Sequence, residues 1–323
     1  MQTKITSINI RFWLPVCLFL ASVNLHGQGH YLGSSYNPND YFVPPSSGWV
    51  VSLYYSYAQL EYFNDSGDKT DKIQISENPP FSVELGQKVK TNSIIPMAIY
   101  FGKGKILNAR WGVLALPMFN NPNANIALDF YIGQDTTINE NININSFGLG
   151  DFYFQPVWLT WEKNKWAATF SYGFWLPTGK YETNDPENIG LGYWSHNFRV
   201  AGRYKPNATY GFTGAATVEL NSSQDGVDFT EASHFTFDYG ASYTFTMGHE
   251  VGFMGFAAFQ LGSDTGEKAF PPKDQIYGLG AYGSYYFIPG RLGTLARFTH
   301  NFGVKNRYGG LGFQIGINYL LLK

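Results

Sequence analysis

Residues 234–245 read HFTFDYGASYTF, and this stretch decides the fold because every second side chain in it is apolar. The apolar face carries six side chains, namely Phe235, Phe237, Tyr239, Ala241, Tyr243 and Phe245. A period of two is typical of a β-strand whose two faces meet different surroundings. Residues 166–174 (WAATFSYGF) and 312–321 (GFQIGINYLL) alternate in the same way. At about ten residues, these stretches are long for globular strands and match tilted strands that cross a membrane.

Twelve such stretches are predicted, and the connections between them alternate in length. The stretches begin near residues 48, 88, 106, 149, 165, 196, 208, 234, 250, 275, 292 and 308. Short turns at 102–105, 162–165, 205–208, 246–249 and 288–291 alternate with long polar connections near 62–87, 120–147, 178–195, 221–233 and 262–274. A transmembrane barrel has this arrangement, with its short turns in the periplasm. We therefore predict an all-β fold, a transmembrane antiparallel up-and-down β-barrel of about 12 strands over residues 48–323.

The composition agrees with a membrane barrel and argues against other classes of protein. Of the 323 residues, 18% are aromatic and 14% are charged, and the mean hydropathy is −0.20. A helical membrane protein needs runs of about 20 apolar residues, and disordered chains contain few aromatic residues. The net charge of −2 gives no basic excess, so we expect no nucleic-acid partner. A secreted soluble β-barrel with an aromatic core stays open as an alternative, although its outer face would need far more Lys and Glu.

The start of the chain indicates the compartment. Lys4 and Arg11 precede or flank a twelve-residue apolar stretch, 12–23, which is too short for a spanning helix. Residues 1–27 are therefore predicted to be a cleaved signal peptide. Cys17, the single cysteine, lies within it, so we expect no disulfide or thiolate site in the mature chain. We predict a multi-pass barrel in the outer membrane of a Gram-negative bacterium.

The alternation also predicts which charged side chains face the lumen. Five of them share the polar face of their strands, and we predict that they form a lumen constriction that binds or orients a solute: Arg199, Arg203, Glu219, Asp238 and Arg297. The alternative is an internal salt-bridge network that fills the lumen. Twelve strands enclose a space between that of a filled eight-stranded barrel and that of an open porin, so we expect a narrow path. Aromatic residues near strand ends are expected to form interfacial girdles: Tyr62, Trp161, Tyr193, Trp194, Tyr204, Tyr243 and Tyr319.

Residues 28–47, here called the N-terminal segment, precede the first strand and are rich in apolar side chains. The stretch is too aromatic for a solvated tail, so we predict that it packs inside or beneath the barrel as a plug. The plug candidates are His30, Tyr31, Leu32, Tyr41 and Phe42. An ordinary periplasmic tail stays open as the alternative.

Four short motifs resemble a known family. They are Gly29-His30-Tyr31-Leu32, Gly148-Leu149-Gly150-Asp151, Pro177-Thr178-Gly179-Lys180-Tyr181 and Asn188-Ile189-Gly190-Leu191-Gly192-Tyr193-Trp194. The chain resembles the outer-membrane proteins of the meta-pathway phenol-degradation family, which include the SphA-like porins. The resemblance implies a barrel that passes hydrophobic or aromatic compounds, broadly like the long-chain fatty-acid transporters. Gly33 stands where the family has a proline, and the last residue is Lys323 rather than an aromatic residue.

The sequence predicts no enzyme, cofactor or metal site. An outer-membrane phospholipase needs a Ser and a His in reach of each other on the lipid-facing side, and no His-x-Ser motif follows His300. His196, His234 and His249 are widely spaced. The acidic loop residues lack an ion-loop pattern and are predicted to be solvated: Asp65, Asp68, Asp71, Asp225, Asp228, Glu231, Asp264 and Glu267.

The predicted function is that of an outer-membrane channel or transporter for passive uptake of hydrophobic or aromatic small molecules. The alternative is a non-transporting structural or surface-recognition barrel with the long loops as its working part. The expected partners are outer-membrane lipid, a small hydrophobic or aromatic solute and the barrel assembly machinery. We expect the protein to be a monomer.

Overall fold

The computed structural model describes residues 29–322, except 32, 34, 35, 71, 78, 79, 85–88, 133–135, 184, 186, 268, 270 and 271. The predicted signal peptide and Leu32 therefore lie outside the described residues. Seventeen strands form in this part of the chain: β1 (Gly48–Phe63), β2 (Lys72–Glu77), β3 (Pro80–Glu84), β4 (Val89–Phe101), β5 (Arg110–Leu116), β6 (Phe119–Ile132), β7 (Thr136–Asn145), β8 (Gly148–Leu149), β9 (Phe152–Lys163), β10 (Trp166–Leu176), β11 (Ser195–Tyr204), β12 (Tyr210–Asn221), β13 (His234–Thr244), β14 (Glu250–Gln260), β15 (Gln275–Ile288), β16 (Leu292–Lys305) and β17 (Arg307–Leu322). A single 3₁₀ turn lies at Thr246–Gly248. No helix of these residues has the length and apolarity that crossing a membrane requires.

Twelve of the strands close into an antiparallel barrel. Strands β9 to β17 pair in chain order, β17 pairs with β1, β1 pairs with β4, and β4 continues through β5 to β9. The seam between β1 and β17 is in register from Gly48↔Leu322 to Phe63↔Arg307, so no edge is left open there. The prediction of a twelve-stranded barrel is confirmed, and each strand begins within four residues of its expected start. The largest offset is at β5, because Leu107 and Asn108 take positive φ values and lengthen the preceding turn.

The two ends of the barrel differ. The connections at 102–109, 164–165, 205–209, 245–249 and 289–291 lie at what we call the short-turn end. The connections at 64–88, 117–151, 177–194, 222–233 and 261–274 lie at the long-connection end, which also contains the tight turn at Asn306. Two of the long connections are not the plain polar loops that the sequence indicated. One contains the β2–β3 hairpin, and the other contains the β6–β7 hairpin, whose β6 also pairs with β4.

The strands have one apolar exposed face and one buried face. On β12, Phe212 is 51% exposed, whereas the neighbouring Thr213 is 8% exposed and Thr217 is 1% exposed. Exposed Trp, Phe, Leu and Ile side chains recur around the ring, where a membrane barrel presents its lipid-facing belt. The sequence predicted that Tyr193 belongs to an interfacial girdle, and this prediction was wrong. Tyr193 is 3% exposed and donates its hydroxyl to Glu231.

The interior of the ring is packed, and the N-terminal segment supplies part of the packing. Tyr41 and Phe42 cluster with Ala167, Ala201 and Ala215 of the wall. Val43 joins a second cluster with aromatic and aliphatic side chains of β4, β5, β9 and β10. All three segment residues are at most 5% exposed. Burial of apolar side chains therefore occurs on the lumen side of the wall, as well as through lipid contact outside it.

Candidate functional site

The N-terminal segment follows the buried face of the barrel from one end to the other. His30 lies at the long-connection end, beside Asp151 and Ser195, which directly precede or begin their strands. Val43 lies near the short-turn end, where its N–H donates to Thr160 Oγ1 at 2.9 Å. There Arg110 Nε donates to the Val43 carbonyl at 2.9 Å, five residues before β1 begins. The segment is therefore held at both ends by hydrogen bonds.

His30 is the anchor at the long-connection end. Its Nε2–H donates to Asp151 Oδ2 at 2.8 Å, and its Nδ1 lies 2.6 Å from Ser195 Oγ. The ring also stacks on Trp175, with centroids 5.1 Å apart. Asp151 accepts two further bonds from the backbone N–H groups of Gly179 and Leu191, so this carboxylate joins the segment to the 177–194 connection. In the sequence, Gly148–Asp151 was identified only as a family motif, and no structural role was predicted for Asp151. Asp151 lies two and four residues before the inward-facing Tyr153 and Gln155, and this alternation is the signal that would have placed the Asp151 side chain on the lumen side.

The order Ser195–His30–Asp151 resembles the arrangement of a hydrolase triad, but these side chains bind the segment to the wall and are not arranged for hydrolysis. Ser195 is 0% exposed, so no substrate carbonyl can approach its hydroxyl. Its Oγ–H donates to Asn221 Oδ1 at 2.6 Å, away from the imidazole that would have to accept the proton in catalysis. The three side chains fix the segment to the wall.

Both predicted lumen carboxylates, Glu219 and Asp238, bind the next residue of the segment. The Tyr31 hydroxyl donates to Asp238 Oδ2 at 2.8 Å, and the Tyr31 N–H donates to Glu219 Oε2 at 2.9 Å. Glu219 also accepts a bond from Asn197 Nδ2 at 3.0 Å. Both carboxylates are at most 3% exposed. Hydrogen bonds to a buried charge are the strong class, so Tyr31 is held firmly at mid-barrel.

Arg199 is surrounded by aromatic rings of the segment. Its guanidinium carbon lies 4.5 Å from the centroid of Tyr36, 4.8 Å from that of Tyr31 and 5.5 Å from that of Tyr41. Nε donates to Thr217 Oγ1 at 2.9 Å, and the residue is 4% exposed. A desolvated guanidinium on ring faces gains about 2 kcal/mol from cation–π attraction. Tyr36 was not among the plug residues selected from the sequence, and its place beside other rings in the same segment is the signal that would have added it.

The two remaining predicted arginines lie elsewhere. Arg203, nearer the short-turn end, stacks over Phe42 at 4.5 Å and donates to Asn39 Oδ1 at 3.2 Å. It also forms a salt bridge with Glu162 at 3.4 Å. Arg297 lies on β16, far around the ring from β11, and donates to Gln314 Oε1. The structure thus brings Arg199, Glu219 and Asp238 together through Tyr31 and leaves Arg297 apart.

A small cavity lies between the described part of the segment and the wall at this level. The cavity bordered by Tyr36, Pro38, Tyr41 and Asp238 has a volume of about 10 Å³, enough for about one water molecule. A far larger groove of about 610 Å³ lies on β11 and β12, where it is bordered by exposed Trp166, Val200, Phe212 and Phe237.

The wall between that groove and the segment is thin. Gly202 and Gly214 are register partners and line the groove. The adjacent partners Ala201 and Ala215 are buried and pack against Tyr41 and Phe42. Small side chains therefore separate the lipid-facing groove from the rings of the segment.

A second group of charged side chains lies at the long-connection end. Glu231, which was predicted to be solvated, is 4% exposed, and burial raises its pKa to about 7. Asp264, also predicted to be solvated, is 9% exposed and accepts the Ala232 N–H. Both predictions were wrong because the long connections fold over one another. Burial alone would raise the pKa of Asp274, but the Arg307 guanidinium, 2.9 Å away, holds that pKa below its usual value.

Comparison with known proteins gives one family and several similar folds. Residues 64–317 match the family described as "Putative MetA-pathway of phenol degradation". The COG4313 outer membrane channel from Pseudomonas putida F1 is similar over 89% of this chain and 100% of its own, with 13% identity and a TM-score of 0.66. At that identity the similarity shows the fold alone.

Two further solved structures are less similar. A Pseudomonas aeruginosa FadL homologue covers 89% of this chain and 95% of its own at 12% identity, with a TM-score of 0.43. The CymD monoaromatic hydrocarbon channel covers 86% of this chain and 90% of its own at 11% identity, with a TM-score of 0.44. Both TM-scores are too low to support a shared mechanism. No curated protein matches the sequence.

Proposed function

Because the chain belongs to the family described as "Putative MetA-pathway of phenol degradation", we propose that it is a channel for passive uptake of hydrophobic or aromatic small molecules. Its closed ring of twelve strands with an apolar outer face is a barrel of the Gram-negative outer membrane. In this proposal the N-terminal segment is a displaceable plug, and solutes pass when it moves.

The contacts of Arg199 carry the proposal. Three tyrosine rings surround its guanidinium, and aromatic faces are also what a planar aromatic solute presents. When the segment moves, Arg199 is left without its rings, so an aromatic solute gains the cation–π contact that the segment gives up. The lumen would therefore favour aromatic solutes over aliphatic ones of equal size.

The groove on β11 and β12 gives such a solute an exit toward the lipid. Its floor is formed by glycine and alanine residues, and Tyr41 and Phe42 cover Ala201 and Ala215 from inside. Displacement of these two rings would place the lumen and the groove on opposite sides of a wall that lacks large side chains. We propose lateral transfer through this part of the wall as the last step of transit.

Deletion of residues 29–45 tests the proposal. The purified variant and the wild type are reconstituted in liposomes, and uptake of toluene and of an aliphatic hydrocarbon is measured alongside ionic conductance in planar bilayers. The expected result is higher conductance and faster toluene uptake in the variant, with folding verified by heat-modifiable migration in gels. Unchanged conductance and uptake in a folded variant would contradict the plug.

One observation favours the alternative of a non-transporting barrel. The cavity beside the segment holds about one water molecule, as expected of a lumen filled for stability. The same experiment separates the two functions, because a structural barrel loses thermal stability on deletion and passes no apolar solute in either form. The proposal also takes the protein to be a monomer inserted by the barrel assembly machinery, since the ring closes within one chain. Cross-linking in native membranes tests the monomer.

A further inference from the structure

We propose that Glu231, His234 and Asp274 bind a divalent transition-metal ion, with Zn²⁺ the best match, at the long-connection end of the barrel. This site is separate from the Arg199 cluster, and its binding of metal does not depend on whether the barrel transports a solute.

The three side chains converge with the spacing of a metal site. His234 Nε2 lies 2.9 Å from Asp274 Oδ2 and 3.9 Å from Glu231 Oε1, and the three ligand atoms all lie within 4.8 Å of one another. Zn²⁺ binds such nitrogen and oxygen atoms at about 2.0–2.2 Å, so ligands around one ion stand between about 3 and 4 Å apart. One imidazole and two carboxylates leave a fourth position for water.

An unpartnered polar atom points into this cluster. Glu231 Oε2 accepts the Tyr193 hydroxyl, but Oε1 has no hydrogen-bond partner, although the residue is 4% exposed. Glu219 Oε1 and His234 Nδ1 are buried without a partner in the same region. A buried polar atom without a partner is destabilising, and more so when it is charged. A metal ion bound to Glu231 Oε1 removes that destabilisation for the carboxylate.

The charges of the cluster also favour a cation. Glu231 and Asp274 bring two carboxylates into one buried region, where Arg307 supplies one guanidinium that pairs with Asp274 Oδ1. Uncompensated buried charge is strongly unfavourable, and a divalent ion bound to Glu231 would compensate its carboxylate. Asp274 can serve both cations, because Oδ1 faces Arg307 and Oδ2 faces His234.

The ligand types select the ion. Mg²⁺ and Ca²⁺ prefer sets made only of oxygen ligands, whereas imidazole favours Zn²⁺ and its transition-metal neighbours. Glu231 belongs to the 222–233 connection, Asp274 to the 261–274 connection and His234 to β13. A bound ion would therefore join two long connections to the wall.

Metal binding by the purified full chain in detergent tests the site. After treatment with a chelator, the protein is titrated with Zn²⁺ or Mg²⁺ by calorimetry, and retained metal is counted by mass spectrometry. The expected result is one Zn²⁺ per chain and far weaker Mg²⁺ binding. His234→Gln and Glu231→Gln should each weaken Zn²⁺ binding at least about 100-fold, since even outer-sphere partners of a ligand contribute about 10–100-fold. His300→Gln, an exposed histidine on β16, is the matched control and should bind like the wild type.

Glu231→Gln keeps an acceptor for the Tyr193 hydroxyl and removes only the charge. The test therefore still gives an answer if His234→Gln fails to fold. Heat-modifiable migration verifies that each variant folds. Zn²⁺ binding that is absent in the wild type, or equal in wild type and in folded Glu231→Gln, would overturn the proposal. Substitution with Co²⁺ provides a second readout, because a nitrogen-containing site of four ligands gives visible absorption that the two variants should lack.

Discussion

Replacement of Tyr31 by Phe removes one hydroxyl from the N-terminal segment and should loosen its hold on the wall. The hydroxyl donates at 2.8 Å to Asp238, whose carboxylate is 3% exposed, and the Phe ring keeps its place against Arg199. A hydrogen bond to a charged group contributes about 1.5–3 kcal/mol. A loss of about 2 kcal/mol shifts the equilibrium between docked and displaced segment about 30-fold toward the displaced form.

Single-channel recording in planar bilayers measures this shift as the fraction of time spent in the conducting state. Tyr31→Phe should raise the open fraction about 30-fold, provided that the open fraction stays well below one in both proteins. Tyr239→Phe is the matched control, because it removes a hydroxyl from the exposed face of the strand that carries Asp238. An open fraction that stays equal in both variants and the wild type would refute the link between this hydrogen bond and passage.

Three further predictions follow from the contacts of the segment and the groove. Asp151→Asn leaves an acceptor for one backbone N–H but removes the charge that holds His30. The expected loss is about 1.5 kcal/mol or more, so proteolysis of the segment in intact vesicles should become at least about tenfold faster. Arg203→Ala removes the cation over Phe42 and should raise conductance, whereas Arg291→Ala, in an exposed turn, should not; equal traces would count against a role for Arg203. Gly202→Leu fits without a clash, since no atom lies within 4 Å of an added Cβ, and should slow toluene uptake by filling the groove. Gly283→Leu adds the same side chain at a glycine whose nearest neighbours are 3.8 Å away, so similar slowing there would argue against the groove.

The barrel itself could be predicted from sequence because its signal is local. The alternation of side chains within each strand identifies its two faces without reference to any other strand. The strands β13, β14, β15 and β16 accordingly begin at the predicted residues 234, 250, 275 and 292. The β6–β7 hairpin was missed because it lies within a long Asn-rich connection that was interpreted as a loop, although Ile138, Ile142 and Ile144 of β7 alternate with polar residues.

The candidate sites depended on contacts that alternation does not encode. Strand phase placed Arg199, Glu219 and Asp238 on one face, but it could not indicate that Tyr31 would lie between them. Glu231 and Asp274 are distant in sequence and meet only because two long connections fold together. Their burial depends on that packing, so polar composition alone predicted solvated loops.

The way the ring closes has a consequence for the order of assembly. The N-terminal segment continues directly into β1, and β1 forms the seam with β17, the last strand of the described residues. Gly48 pairs with Leu322 only five residues after Val43 is bound inside the wall. The stretch of chain that closes the barrel is therefore continuous with the segment that fills it, and we expect the segment to enter the interior before β1 pairs with β17.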